Sequence, residues 1–290
     1  MYPDIQGMAP EHRFRLTRVG VKNVVKPIQV MRGDREITLV THIDIFVDLP
    51  PTKKGSDMSR NVEVISEIVD ESISKPCTGI ENLATRIVKE VKKRHEYASY
   101  AEVNLRAEYF LTRENPGGRK SIERYTLIGR ATIDRESVRK MVGVEVIGMT
   151  ACPCAMETVR TILKEQYDDK ILDELPVPTH NQRNIVTLMI EIPEGVDIEA
   201  NDLIDIVEQS FSSPTYEILK RREEGELVLN AHRNPKFVED VVRDILRRIV
   251  ERYPNMPDNA VIVVRSESEE SIHKHNAFAE RVTTFGKLKE

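Results

Sequence analysis

Leu83-Ala84-Thr85-Arg86-Ile87-Val88-Lys89-Glu90-Val91 and Val103-Asn104-Leu105-Arg106-Ala107-Glu108-Tyr109-Phe110-Leu111 set two hydrophobic periods close together. Leu83, Ile87 and Val91 recur at i, i+4 and i+8, the spacing of one helix face. Val103, Leu105, Ala107, Tyr109 and Leu111 alternate, as a half-buried strand does. The second half of the chain carries the same order. Asn234 reads as a helix cap with Pro235 at the first helical position, and Phe237, Val241, Ile245 and Ile249 form the apolar stripe. That helix is expected to stop before Pro254, with Val261-Ile262-Val263-Val264 as the next strand.

Working outward, strand patterns cover residues 14–30, 36–49, 121–132, 144–149 and 185–192, and helical patterns cover 61–73 and 202–211. Each half reads as two strands, two helices and two more strands, with a seam near 134–142. The expected architecture is α+β, with tandem modules at 1–137 and 138–290, each an antiparallel sheet covered by helices on one face. Long antiparallel strands leave edges, and joining sheets into closed barrels in an oligomer would hide them.

Composition narrows the function classes. Forty-three basic against 48 acidic side chains leave a net charge of −5, too even for a nucleic-acid binder. No apolar run approaches the roughly 18 residues of a membrane span. Met1-Tyr2-Pro3-Asp4-Ile5 carries no targeting pattern, and three cysteines do not make a disulfide framework, so a reducing cytoplasm is expected.

Two of those cysteines flank one proline in Gly148-Met149-Thr150-Ala151-Cys152-Pro153-Cys154. The segment ends an apolar strand and opens a helical pattern at Met156, Val159 and Leu163, where the helix dipole favours a thiolate for metal binding or attack. The alternatives are a pair of structural thiols and, less favoured, a redox pair, since one intervening residue strains a local disulfide and the thioredoxin pattern has two. Cys77, after Pro76, reads as an ordinary thiol. His180 precedes Asn181-Gln182-Arg183 in a polar loop, and Glu269-Glu270-Ser271-Ile272-His273-Lys274-His275 offers imidazoles beside carboxylates, as ligands, proton shuttles or plain loop. Lys220-Arg221-Arg222-Glu223-Glu224 is a charge run that could hold a polyphosphate or simply face water. No Walker or dinucleotide pattern is present. Glu239 lies beside an apolar helix face, where a carboxylate commonly makes a surface salt bridge but can also accept two N–H bonds from a guanine-like edge.

Taken in order, these motifs resemble the GTP cyclohydrolase group that pairs Cys-Pro-Cys with His-Asn-Gln-Arg, which has a bacterial folate-pathway branch and an archaeal methanopterin-pathway branch. The likeness runs from Pro3-Asp4-Ile5-Gln6 and Arg18-Val19-Gly20-Val21-Lys22 through Cys152-Pro153-Cys154 and His180-Asn181-Gln182-Arg183. It continues through Ser212-Ser213-Pro214, Leu219-Lys220-Arg221 and Asn234-Pro235-Lys236-Phe237-Val238-Glu239-Asp240 to Glu270-Ser271-Ile272-His273. Ala155, where the bacterial branch has Ser, and the long segment between Cys154 and His180 look more like the archaeal branch.

The resemblance implies the tunnelling fold and a homodimer or homotetramer. It also implies one Fe(II) per subunit, replaceable by zinc or manganese, held by Cys152, His180 and Glu224, with Glu223, Glu226 and Glu270 as alternative carboxylates. Cys152, Cys154, Glu270 and His273 would be the catalytic groups, Glu239 the guanine anchor, and Arg183, Lys220 and Arg221 the triphosphate contacts. The implied product is 7,8-dihydroneopterin 2′,3′-cyclic phosphate. The alternatives are dihydroneopterin triphosphate, as in the bacterial branch, or a protein of this fold with a structural metal.

Overall fold

The computed structural model describes residues 3–32 and 35–289. Met1 and Tyr2, which begin the segment read for a targeting pattern, and Glu290, the last residue of the expected second module, lie outside the described residues. The chain divides into two compact units. The first comprises the described residues up to Tyr109, Thr126–Val142 and Glu191–Gly195; the second comprises Phe110–Tyr125, Gly143–Ile190 and the described residues from Val196 onward.

In the first unit, β1 (Leu16–Arg32) and β2 (Arg35–Leu49) pair antiparallel, and β2 pairs antiparallel with β3 (Tyr100–Glu114). Next to β3 comes β4 (Lys120–Asp134). Between β2 and β3 run α1 (Met58–Ser74) and α2 (Ile80–Arg94). The two-strand, two-helix, two-strand plan holds here, and for the expected reason. Leu83, Ile87 and Val91 on α2 and Val103, Leu105 and Ala107 on β3 are all buried, alongside Ile43, Ile45 and Ile65. Cys77 is 6% exposed and takes a hydrogen bond from Arg86 at 3.1 Å, a buried thiol in keeping with its ordinary sequence context. His95, the C-cap of α2, is fully buried: Nε2 lies 2.8 Å from Asn61 Oδ1 and Nδ1 2.9 Å from the Tyr97 hydroxyl. Burial, reinforced by the positive charge of Arg60, pushes its pKa down to about 4.

The second unit holds the latter part of β5 (Ser137–Ala151), then α3 (Pro153–Leu163), α4 (Asp169–Glu174), β6 (Asn181–Glu191), α5 (Ala200–Glu208) and β7 (Ser213–Pro214). There follow α6 (Arg221–Arg233), α7 (Val238–Arg252), β8 (Val261–Ser268), β9 (Ala277–Thr284) and a short 3-10 turn at Gly286–Leu288. Its strands neighbour one another in the order β5-β6-β8-β9, with β7 on β5. The expected repeat of six elements is therefore overwritten by extra helices. Met156, Leu172 and Val177 form a small core of their own, with Val159 and Leu163 packed against it. That cluster explains why α3 and α4 fold between β5 and β6.

One helix start differs from the sequence reading. Asn234 is the C-cap of α6, and α7 begins at Val238 with Phe237 as its N-cap. Pro235 ends α6 instead of opening α7, because it cannot continue the helical hydrogen bonding. Asp240 supplies the cap by accepting the Phe237 N–H at 3.0 Å, and the Asn234 amide donates to the carbonyls of Phe211 and Ser212. Phe237 is 42% exposed; Val238, Val241, Val242, Ile245 and Ile249 make the buried stripe. The helix ends at Arg252, ahead of Pro254, as expected.

The β3–β4 hairpin tip also belongs to this unit. Tyr125 donates to Glu208 Oε1 at 2.6 Å and accepts from Arg113 Nε at 3.2 Å, while Arg113 also meets Asp205. Burial and the Glu208 carboxylate both push the Tyr125 hydroxyl pKa upward, and burial pushes that of Glu208 up. Among the described residues, no helix is long and apolar enough to cross a membrane.

Candidate metal and substrate site

Strand β5 delivers the first thiol. Its end is held by one neighbouring segment: Gly148 and Met149 pair with Pro214 and Ser213 of β7, and the Ala151 N–H donates to Ser212 Oγ at 3.2 Å. A Cβ on Gly148 would stand 2.0 Å from the ring of Phe211, which is itself buried, so glycine is required by close packing. Cys152 then becomes the N-cap of α3, with Pro153 at its first position and Sγ accepting the Ala155 N–H at 3.5 Å. Cys152 is half-buried, whereas Cys154, one residue into the helix, is exposed.

Strand β6 delivers the imidazole. The Cys152 N–H donates to the His180 carbonyl at 3.0 Å, and Thr179 Oγ1 donates to the Cys152 carbonyl at 2.7 Å. Two segments nearly thirty residues apart are thus stitched together through the main chain. The β6–β8 ladder then brings in the C-terminal motif. Asn184 faces Ser268, and the Glu269 N–H donates to the Arg183 carbonyl at 2.9 Å, so Gln182 comes to lie across from Glu270.

The resulting cluster is polar and partly enclosed. His180 Nδ1 is 2.9 Å from Gln182 Oε1 and 3.6 Å from Glu270 Oε2, and Gln182 Nε2 donates to Glu270 Oε1 at 3.3 Å. The His180 and Glu270 side chains are 11% and 10% exposed. The His273 ring lies edge-on to His180, with centroids 6.3 Å apart, and stacks on His275 at 5.1 Å. His273, His275 and Arg183 are exposed.

The remaining candidates sit on helix starts. Lys220 is the N-cap of α6, Arg221 its first residue and Glu224 lies in its first turn; all three are exposed. The structure separates the three neighbouring carboxylates. Glu223 is buried and accepts the Lys220 N–H at 2.8 Å, Asn115 Nδ2 at 3.1 Å and Arg119 Nε at 3.2 Å. Those donors, the Lys220 N–H foremost, hold its carboxyl below the usual range. Glu226 pairs with Arg222 at 2.9 Å. Glu224 has no side-chain hydrogen bond or ion pair among the described residues. Glu239 is the second residue of α7 and is exposed. Its helix start is tethered to the thiol segment, because the Lys236 N–H donates to the Ala151 carbonyl at 3.0 Å. The far end of α6 is tethered as well, through His232 Nε2, 3.3 Å from the Thr179 carbonyl.

Cys152, His180 and Glu270 are therefore brought near one another by main-chain bonds and strand register, and His273 meets the edge of His180. Glu224 and Glu239 are supplied by two separate helix starts. Among the described residues, no three His, Cys, Asp or Glu side chains form a ready cage for a metal. The donor chemistry nonetheless fits a borderline cation: a half-buried thiol, an imidazole whose Nε2 makes no hydrogen bond among the described residues, and an unengaged carboxylate. Sequence reasoning gave no role to Thr179, Ser212 or Gln182. The first two act only through backbone contacts, which no motif spacing reports.

Comparison with known proteins places this geometry in context. Residues 2–279 match the family described as GCHY-1, type I GTP cyclohydrolase folE2. The chain is 45% identical to a GTP cyclohydrolase MptA of Methanosphaera stadtmanae, covering 100% of this chain and 97% of that one. It is 44% identical to a GTP cyclohydrolase MptA of Methanobrevibacter smithii, covering 99% and 97%. Among solved structures, uricase from Arthrobacter globiformis aligns at a TM-score of 0.51 with 9% identity, over 92% of this chain and 93% of that one. A hyper-thermostable AgUricase mutant aligns at 0.53 with 9% identity, over 92% and 91%. These T-fold-like urate oxidases share the fold of an antiparallel sheet with helices, and at such identity the likeness concerns the fold alone.

Proposed function

Because the chain belongs to the type I GTP cyclohydrolase folE2 family, we propose that it opens the imidazole ring of GTP, releases C8 as formate and closes a pterin. It is an enzyme that acts on GTP. The product we assign is 7,8-dihydroneopterin 2′,3′-cyclic phosphate, made for methanopterin, with diphosphate leaving as a ribose hydroxyl closes onto the α-phosphate. The observation that carries the reading is the family match over residues 2–279, which runs through both segments joined by the Cys152–His180 hydrogen bond.

Cys152, His180 and Glu224 would hold one ferrous ion per subunit, with zinc or manganese as substitutes. When bound there, such an ion lowers the pKa of a coordinated water and supplies Lewis acidity. The other roles fall to the chain. Glu239 receives two N–H groups of the guanine edge and orients the base. Lys220, Arg221 and Arg183 neutralise the triphosphate and align a ribose hydroxyl with the α-phosphate. His273 and Glu270 move protons at the purine nitrogens as the two bonds to C8 are hydrolysed. Cys154, exposed one residue past Pro153, is the alternative thiol. Self-association into a homodimer or homotetramer, with sheets joined into barrels, covers the edges at β1 and β9.

Anaerobic incubation of the metal-stripped protein with GTP, with and without Fe(II), followed by mass analysis of the pterin, tests this directly. Formate and a cyclic monophosphate, formed only with metal, are expected. Dihydroneopterin triphosphate would move the protein to the other product class, and no formate would remove the assignment.

A further inference from the structure

We infer that Gln182 is a positioning residue that fixes the tautomer of His180, taking its own orientation from Glu270. The carboxylate of Glu270, when ionised, only accepts hydrogen bonds. Gln182 must therefore turn its NH2 group toward Glu270, as it does at 3.3 Å. The opposite flip would set an amide oxygen against a carboxylate oxygen, two acceptors facing each other in a half-buried place. With the NH2 group committed, Gln182 Oε1 is what faces His180 Nδ1 at 2.9 Å. An amide oxygen has no proton to give, so Nδ1 carries the hydrogen and Nε2 carries the lone pair.

Glu270 Oε2, 3.6 Å from Nδ1, adds attraction for the same N–H. The chain of command runs from Glu270 through Gln182 to His180, and it exists because the β6–β8 register sets Gln182 across from Glu270. An imidazole held this way offers Nε2 as a ligand or proton acceptor without first having to change tautomer. Outer partners of this kind commonly contribute about 10- to 100-fold in metal affinity. The consequence for catalysis rests on the cyclohydrolase reading; the tautomer itself does not.

The test uses the full-length protein, metal-free and labelled with nitrogen-15. Two-bond proton–nitrogen correlation spectra, with the His180 signals assigned by His180→Asn, report which ring nitrogen is protonated at mildly alkaline pH. The wild type should show Nδ1–H. Gln182→Leu should shift the ring toward Nε2–H and weaken Co(II) binding by about 10- to 100-fold in competition with a chromophoric chelator. Gln182→Glu, sharing one proton with Glu270 where the NH2 group stood, keeps an acceptor against Nδ1 and should retain the wild-type tautomer. A side chain that merely filled space would not distinguish Leu from Glu in this way. Nε2–H at His180 in the wild type overturns the proposal; so does a Gln182→Leu protein with unchanged tautomer and Co(II) affinity. Turnover of GTP by the iron-loaded wild type, measured separately, decides the cyclohydrolase reading independently of either spectrum.

Discussion

The backbone N–H of Cys152 donates to the carbonyl of His180 at 3.0 Å, tying the start of α3 to the start of β6. Because this link uses main-chain atoms, it survives replacement of either side chain. Cys152→Ala should therefore retain the fold, losing at most about 1 kcal/mol from a weak cap. It should abolish turnover and lower bound metal. Metal content by elemental analysis and a melting curve on the same sample check the two halves of this expectation. An active variant with a full complement of metal would falsify the ligand assignment.

Glu239 stands exposed at the first turn of α7, on a segment tethered to the thiol strand through Lys236. Glu239→Ala should leave metal content unchanged and weaken GTP binding. Losing a charge-assisted bond of about 1.5–3 kcal/mol corresponds to a roughly 10- to 100-fold rise in Kd. Calorimetric titration with GTP measures it; unchanged affinity would place the guanine contact elsewhere.

His95 gives the first unit a pH dependence whose sign is fixed. Its pKa is depressed from 6.5 to about 4 in the folded chain, so between those values the unfolded chain binds a proton that the native one excludes. Stability from this group is fully present above the unfolded pKa and is lost as pH falls toward the folded one. The loss amounts to roughly 3 kcal/mol over the window. Urea titrations at several pH values should show this slope in the wild type and a shallower one in His95→Gln.

Gly148 permits Phe211 to pack against the strand that ends at Cys152. Gly148→Ala forces the ring or the strand to shift, and overpacking of this kind costs about 1–3 kcal/mol. A lowered Tm with reduced metal affinity is expected, since the displaced strand carries the thiol. A variant as stable as the wild type would mean that Phe211 relaxes freely.

The first unit was legible in the sequence because its elements follow single, uninterrupted periods: Leu83, Ile87 and Val91 on one helix face, Val103, Leu105 and Ala107 on one strand face. The second unit was less so. Its insertion of α3 and α4 depends on a private cluster around Met156, Leu172 and Val177, and contacts between distant residues leave no local period. Asn234-Pro235 read as a helix start because that pair has the right chemistry for one. It serves as well to finish the preceding helix, and only the placement of Asp240 decides between the two. For the site, the residues were legible but their grouping was not. His180 and Glu270 are 90 positions apart in the chain, and they meet through the β6–β8 register, which no spacing within either motif encodes.

A thiol is a poor closure for a helix: Sγ of Cys152 reaches the Ala155 N–H only at 3.5 Å, where serine or aspartate would bond it well. Heat-based selection on this protein would accordingly favour Cys152→Asp, a change expected to raise Tm while ending turnover. At this one position durability and chemistry pull in opposite directions, and a library screened only for survival at high temperature would converge on a hardier, inert protein.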